Sequence, residues 1–335
     1  MVEARRKAVG IRDVATAAGV STATVSQVYN RKGEVAEATK ARVLAAGERL
    51  GYRPNPLGQA LRSGRSRIIG VVVSYRDSAV WEQTYMPYYR SIIAGAAIEA
   101  VEHGYAIAAT PSTPDGRLAA NVALDGMIVV DPIPGDPVVE HGLADGLTVV
   151  TDGGYPHAAD ETRLVSVRSD MDSGITAILD HVRESATGDF RPALFVGPRI
   201  DSYTGDTIAA FEGWCDRNGC TPALTALTLG QAPLDAARAL LSAPERPTSV
   251  HCLNETYSSA VLEAAVERGL LVPTDLQVST VGNARAVGAQ PGVAYLDIDP
   301  VETGAVCARA LIALLEGEAA ADVVQPITVV PARWA

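Results

Sequence analysis

The sequence predicts an all-α three-helix head containing a helix-turn-helix, followed by an α/β core of two doubly wound lobes. Three observations predict it. The charge balance reverses near residue 67; the N-terminus carries a helix, a glycine turn and a second helix; and beyond residue 67 apolar strand runs alternate with helical segments.

The 335 residues are enough for two or three cores. Residues 1–67 hold 13 Lys and Arg against 5 Asp and Glu, a net +8, so the overall −11 leaves −19 on the rest. A basic head on an acidic body implies that only the head meets a polyanion. No apolar run reaches the roughly 20 residues of a membrane span. The opening MVEARRKAVGIRDV has no continuous apolar segment of the kind a secretory signal needs. A cytoplasmic protein associated with the nucleoid is expected, with no membrane partner. Cys215, Cys220, Cys252 and Cys307 show no CxxC and no histidine at metal spacing, so they read as reduced structural thiols. No metal and no cofactor is expected.

In the head, IRDVATAA (11–18) places Ile11, Val14, Ala15 and Ala18 on one helical face. Gly19 suits a turn with positive φ, and Val20 can pack inward. Ser21 is an N-cap for TATVSQVYN, in which Val25 and Val28 repeat at i, i+3. A third helix, about 37–50, is expected to bury Val43, Leu44, Ala46 and Leu50 and to stop at Gly51. A short second helix of this kind can enter the major groove of DNA. Ser21, Thr24, Ser26 and Asn30 are short hydrogen-bonding residues suited to phosphates. Thr22, Ala23 and Gln27 are the candidate base readers, and glutamine favours adenine N6/N7 where arginine favours guanine O6/N7. Arg12, Thr39 and Arg53 are candidate phosphate neighbours. Gly10 and Ala36 are weak caps, and Glu34 puts an acid near this face.

Residues 54–62, PNPLGQALR, start with Asn55 as N-cap and Pro56 at the first helical position. The stretch is too short for a stable isolated helix, and Gly58 weakens it further. SGRSR (63–67) reads as a basic connector.

From Ile68 the pattern changes to strands at 68–73, 105–109, 126–130, 147–152, 193–197, 225–229, 249–253 and 277–281. Helices are expected near 87–103, 172–184, 206–218, 234–242 and 256–268. Ligands of open parallel sheets lie beyond the carboxyl ends of the strands. The candidate ligand contacts are therefore Tyr75, Asp77, Trp81, Asp131, Asp152, Tyr203, Thr207, Asn254, Glu255 and Asn283. There is no GxSxG, GxxxxGK[ST], GxGxxG or HExxH, and the five histidines are scattered, so no enzyme is expected.

The runs IRDVATAAGVSTATVSQVYN, VAEATKARVLAAGERLGYRPN and ALRSGRSRIIGVVV make residues 11–73 resemble the head of LacI/GalR bacterial transcription regulators. DGMIVV, RPALFVGP, LLVPTDLQVSTVG and VETGAVCARALIALLEG extend the resemblance over the core. It implies a periplasmic-binding-protein-like core that senses a small molecule, a homodimer on near-palindromic double-stranded operator DNA, and repression. It also implies that Thr22 and Ala23 select the operator and that Gln27 stands where arginine is usual. A hinge helix would bring Leu61 into the minor groove as a wedge. The implied divisions are 1–53 for the head, 54–66 for hinge and linker, and 67–335 for the core. Within the core, the first lobe is about 67–165 and 294–322, and the second about 166–293 and 323–335, with crossovers near 164–168, 293–299 and 322–327.

The chain departs from the family in two ways. TPDGRLAANVAL leaves too little room for the usual helix between the second and third strands. The arginine and aspartate that hold sugar hydroxyls in relatives match Thr207 and Ala284, so both anchors are missing, whereas Asp152 and Asn254 match pocket positions. The effector is a sugar, a sugar derivative or another metabolite. A DNA-binding regulator without an effector and a solute-binding receptor are the alternatives.

Overall fold

The computed structural model describes residues 9–29, 33–53, 64–73, 86–113, 115–118, 121–158, 160–186, 188–198, 201–228, 230–284 and 290–332. The chain divides into two compact units, Met1–Ser66 and Arg67–Ala335.

The described residues of the first unit form a three-helix cluster: α1 (Ile11–Ala18), α2 (Thr22–Tyr29) and α3 (Glu37–Leu50). Val14, Ala15, Ala18, Val25, Val28, Val43 and Ala46 form its core, and Val20 packs against them. Gly19 ends α1 at φ 65°, and Gly51 ends α3 at φ 66°; both are left-handed positions natural to glycine. The Asp13 carboxylate accepts from the Gly10 N–H over 2.8 Å and so ties down the start of α1. Ala36 makes no side-chain cap. Leu44, expected in this core, is 43% exposed. The inward face of α3 is carried instead by Val43, Ala46 and Gly47. Gly47 makes room for Tyr29, because a Cβ there would stand 1.8 Å from the phenol oxygen. Tyr29 also meets Tyr52 edge-on at 5.2 Å.

The second unit contains two six-stranded sheets. The first has the order β11-β5-β4-β3-β1-β2, and the second β12-β10-β9-β8-β6-β7. In the first sheet β1 (Ile68–Val73), β2 (Ala106–Pro111), β3 (Gly126–Val130), β4 (Thr148–Asp152), β5 (Leu164–Ser169) and β11 (Val323–Gln325) are all parallel. In the second, β6 (Pro192–Val196), β7 (Ala223–Ala226), β8 (Ser249–Cys252), β9 (Gln277–Gly282) and β10 (Val293–Asp297) are parallel, and β12 (Thr328–Val330) runs antiparallel on β10. Buried on both faces, β1 and β3 read as continuous apolar runs, IIGVVV and GMIVV. In each sheet the first strand of the lobe lies between the second and third, which makes a topological switch point beside it.

The chain passes between the sheets three times, after β5, after β10 and after β11. β5 and β11 thus belong to the first sheet and β10 to the second, so all three boundaries lie a few residues later than the expected 165, 293 and 322. α4 (Met86–Glu102) and α10 (Pro300–Glu316) cross closely in the first lobe. A Cβ at Gly95 would stand 1.8 Å from the Val301 carbonyl oxygen, and one at Gly304 would stand 2.1 Å from that of Ile92. α5 (Pro137–Ala144) was not legible as a helix, although Asp136 caps it through the Val138 N–H at 2.9 Å. The remaining helices among the described residues are α6 (Met171–Glu184), α7 (Ser202–Asn218), α8 (Pro233–Ser242) and α9 (Glu255–Glu267). Between β2 and β3 there is no helix among the described residues. Thr113 and Arg117 close a turn there, with Gly116 set against Pro137.

Candidate functional site

In the head, Val25 and Val28 fasten one face of α2 to the core. Thr22, Ala23 and Gln27 are exposed, so the three candidate readers lie on the free face. Ser21 caps the helix: its hydroxyl accepts from the Thr24 N–H over 3.1 Å and contacts the Thr24 hydroxyl at 3.0 Å. Ser21 and Thr24 therefore support the helix start as well as standing at the edge of this face. Ser26 and Thr39 are half-buried, while Arg12 and Arg53 are exposed. Asn30, Asn55 and Leu61 lie outside the described residues, as do Tyr75, Asp77 and Trp81.

In the core, the carboxyl ends of both sheets border one cavity of about 250 Å³. Asp131, Asp152, Tyr203, Asn254, Glu255 and Asn283, all named from the sequence, line it. Thr207 does not. It is fully buried, and its hydroxyl donates to the Tyr203 carbonyl over 2.8 Å. Asp206, one residue earlier on α7, faces the cavity instead. Tyr88, Ser91, Arg168 and Met171 also line it and were not anticipated.

Asp131 follows β3 and Asp152 ends β4. They are neighbours in the sheet, and the Asp131 N–H donates to the Asp152 carbonyl over 2.8 Å. Asp131 holds φ 49°, a left-handed conformation that costs a non-glycine residue about 1–3 kcal/mol and persists where surrounding contacts enforce it. Two successive tyrosines of α4 supply donors: Tyr88 to Asp152 over 2.9 Å and Tyr89 to Asp131 over 3.0 Å. Burial, and after it the Asp131 charge, hold the Asp152 carboxyl well above the usual carboxylate range. Burial, then the Asp152 and Asp131 charges, likewise raise the Tyr88 phenol. Tyr203 donates to the Leu253 carbonyl over 3.1 Å, and burial raises its phenol as well. Burial also raises Asp206 and Glu255.

The N-termini of α6, α7, α9 and α10 reach this cavity through Met171, Ser202 and Tyr203, Glu255 and Thr256, and Pro300. Their positive ends partly offset the crowded carboxylates. Arg168 is the cationic side chain on the described lining. The Asn254 side chain accepts from the Tyr257 N–H over 3.1 Å as N-cap of α9. Its buried Nδ2 and the buried Ser202 Oγ have no hydrogen-bond partner among the described residues. The cavity thus offers many acceptors and a few uncommitted polar atoms, a surface for binding a ligand rich in donors.

The histidine most fully enclosed, His251, contacts Ser279 Oγ at 2.9 Å, and burial pushes its pKa down to about 3. It is a neutral core residue. The four cysteines are free thiols. No group of three or more His, Cys, Asp or Glu with metal-holding geometry occurs among the described residues, and no described helix is long and apolar enough to cross a membrane.

Residues 10–55 match the model of bacterial regulatory proteins of the lacI family, and residues 185–333 match the periplasmic binding protein-like domain. The HTH-type transcriptional repressor CytR of Escherichia coli strain K12 is 27% identical over 281 residues, covering 80% of this chain and 78% of the relative. The repressor PurR of Pectobacterium carotovorum is 28% identical over 296 residues, covering 82% and 81%. In structure, the chain is similar to the lac repressor dimer bound to operator and the anti-inducer ONPF, with TM-score 0.80, 21% identity and coverage of 98% and 99%. The CelR–cellobiose complex is also similar, with TM-score 0.66, 21% identity and coverage of 98% and 100%. The chain thus carries a helix-turn-helix domain of the lacI type at residues 10–55 and a periplasmic binding protein-like domain at residues 185–333, in the order found in these repressors.

Proposed function

We propose that this chain is a transcription repressor that reads a near-palindromic operator as a homodimer and responds to a small molecule in the core cavity. The observation that carries this reading is a single chain holding both an exposed α2 face, with Thr22, Ala23 and Gln27, and a carboxylate-lined cavity at two switch points. Ser21, Thr24, Ser26, Asn30, Thr39, Arg12, Arg53 and Asn55 hold phosphates, and Leu61 wedges the minor groove. Asp131, Asp152, Tyr203, Asn254, Glu255 and Asn283, joined by Tyr88, Arg168 and Asp206, contact the effector. Acceptors outnumber cations on the lining, so the effector is a neutral hydroxylated molecule, a sugar or sugar derivative, rather than an anion. The protein works on DNA in the cytoplasm and catalyses no reaction.

Selection of random duplexes by the purified protein, with and without a panel of sugars and nucleosides, tests this reading. A two-fold-related motif whose recovery changes with one compound is expected. Failure to prefer any duplex over competitor would overturn it.

One observation favours a regulator without an effector. The Asp131 and Asp152 carboxylates already receive phenol hydrogen bonds from the chain itself. In that case the motif is selected equally under every compound, and no compound raises the melting temperature, which a ligand of the folded state must do.

A further inference from the structure

Gly33, in the connection between α2 and α3, adopts φ 79°. An ideal Cβ built on it would lie 3.3 Å from Gln27 Nε2, 3.5 Å from Cδ and 3.8 Å from Cγ. The flat carboxamide of Gln27 therefore rests against the open face of this glycine, although Gln27 is otherwise exposed. Glycine serves two purposes here. It accepts the left-handed backbone, and it leaves the space the carboxamide occupies. A methyl group at 3.3 Å would force the amide to move by a few tenths of an ångström. Bidentate pairing with a base edge fixes both the position and the plane of an amide, so a shift of this size matters to reading.

We propose that Gly33 is a specificity-determining residue that positions the Gln27 carboxamide for one base pair of each operator half-site. The inference rests on the preceding reading of Gln27 as a base contact. Gly33 is a positioning residue. It acts through the glutamine and leaves the phosphate contacts as they are.

Gly51 supplies the control. It is also left-handed, at φ 66°, in the same small unit, and a Cβ there would meet nothing within 4 Å. Alanine at residue 51 introduces comparable backbone strain with no Gln27 contact. Base preference is measured by duplex selection on the full-length protein and its Gln27→Ala, Gly33→Ala, Gly33→Asn and Gly51→Ala variants. Asparagine tolerates the left-handed region better than alanine, so it keeps the head folded if alanine does not. Retained salt-sensitive binding to random duplex confirms folding in each case.

The expected result is that Gly33→Ala and Gly33→Asn lose discrimination at the same symmetric pair as Gln27→Ala, by at least about fivefold. Once Gln27 is alanine, the Gly33 change adds nothing further. Gly51→Ala keeps the wild-type motif. If Gln27→Ala alters the motif and neither Gly33 variant does, the positioning role is overturned and the reader survives. If Gln27→Ala leaves the motif unchanged, both fall. A matching shift from Gly51→Ala would also overturn the proposal, because strain alone would then explain it.

Discussion

The Tyr88 hydroxyl donates to Asp152 Oδ2 over 2.9 Å, and this places a phenol against a carboxyl that burial and the Asp131 charge both discourage from ionising. The native state therefore binds a proton at Asp152 more tightly than the unfolded chain does. A folded-state pKa above the unfolded one contributes stability fully present below the ordinary aspartate range, about pH 3.9. That contribution is lost as pH rises through the raised value. Asp206 and Glu255 shift in the same direction and add to the trend. Asp152→Asn removes the largest part of it. Denaturation midpoints from about pH 4 to about pH 8 should show wild type losing stability relative to Asp152→Asn as pH rises. Parallel profiles would mean that Asp152 is ionised in the native core without penalty.

Gly282, at the end of β9, keeps the cavity open on the side of Glu255. A Cβ there would stand 2.7 Å from Glu255 Cγ and 2.9 Å from Cδ, so alanine must displace the glutamate side chain. Overpacking of this kind costs about 1–3 kcal/mol. Gly282→Ala should lower effector affinity by about tenfold, roughly the 1.4 kcal/mol of one such displacement. Operator affinity without effector should hold. Titration with the compound found by thermal-shift screening checks this; unchanged effector affinity would place the ligand away from Glu255.

The sequence made the head almost fully legible, for physical reasons. Val25 and Val28 repeat at helical spacing, Ser21 and Gly19 mark the ends, and each signal is local. The core strands were legible because parallel strands buried on both faces leave unbroken apolar runs such as IIGVVV. The cavity was half legible. Asp131, Asp152, Asn254 and Asn283 sit just after or at the ends of strands, where topology alone predicts a lining. Tyr88 and Ser91 lie within a helix, and periodicity does not say which turn of α4 meets the cavity. Thr207 and Asp206 are adjacent on α7, and one residue is 100° of rotation, enough to exchange a buried hydroxyl for a facing carboxylate. Leu44 shows the converse: an apolar residue next to the buried Val43 on α3 reads as core from its sequence, and it lies exposed. α5 opens with Asp136-Pro137, a cap signal, but its eight residues are too few for periodicity to register.

The contact of Tyr29 with Gly47 binds α2 to α3, so it supports the reading helix from behind. Alanine in place of a mid-helix glycine ordinarily gains about 1 kcal/mol of helix propensity. At residue 47 the Cβ would fall 1.8 Å from the phenol oxygen, and overpacking costs about 1–3 kcal/mol. The clash should win. Gly47→Ala is expected to speed amide hydrogen exchange at Val25, Val28 and Val43, and Tyr29→Phe in the same chain should restore part of the protection. Slower exchange in Gly47→Ala would show that propensity dominates and that the tyrosine moves aside freely.

The charge break gives a prediction about ionic strength that separates positioning from reading. Arg12 is exposed on the first turn of α1, in the +8 segment, while Arg246 in the acidic core donates to the Asp275 carbonyl over 3.3 Å. Each phosphate neutralised by a cation releases counterions and adds about 0.9 to the slope of log affinity against log salt. Arg12→Ala should lower that slope by about one contact and weaken all duplexes alike. Arg246→Ala should leave the slope unchanged. Gln27→Ala, which removes no charge, should keep the slope and lose sequence discrimination. Fluorescence anisotropy on operator and random duplexes across a salt series measures all three variants. An unaltered slope in Arg12→Ala would remove that side chain from the DNA face. An equal loss in Arg246→Ala would mean that net charge, rather than a specific contact in the head, sets the salt response.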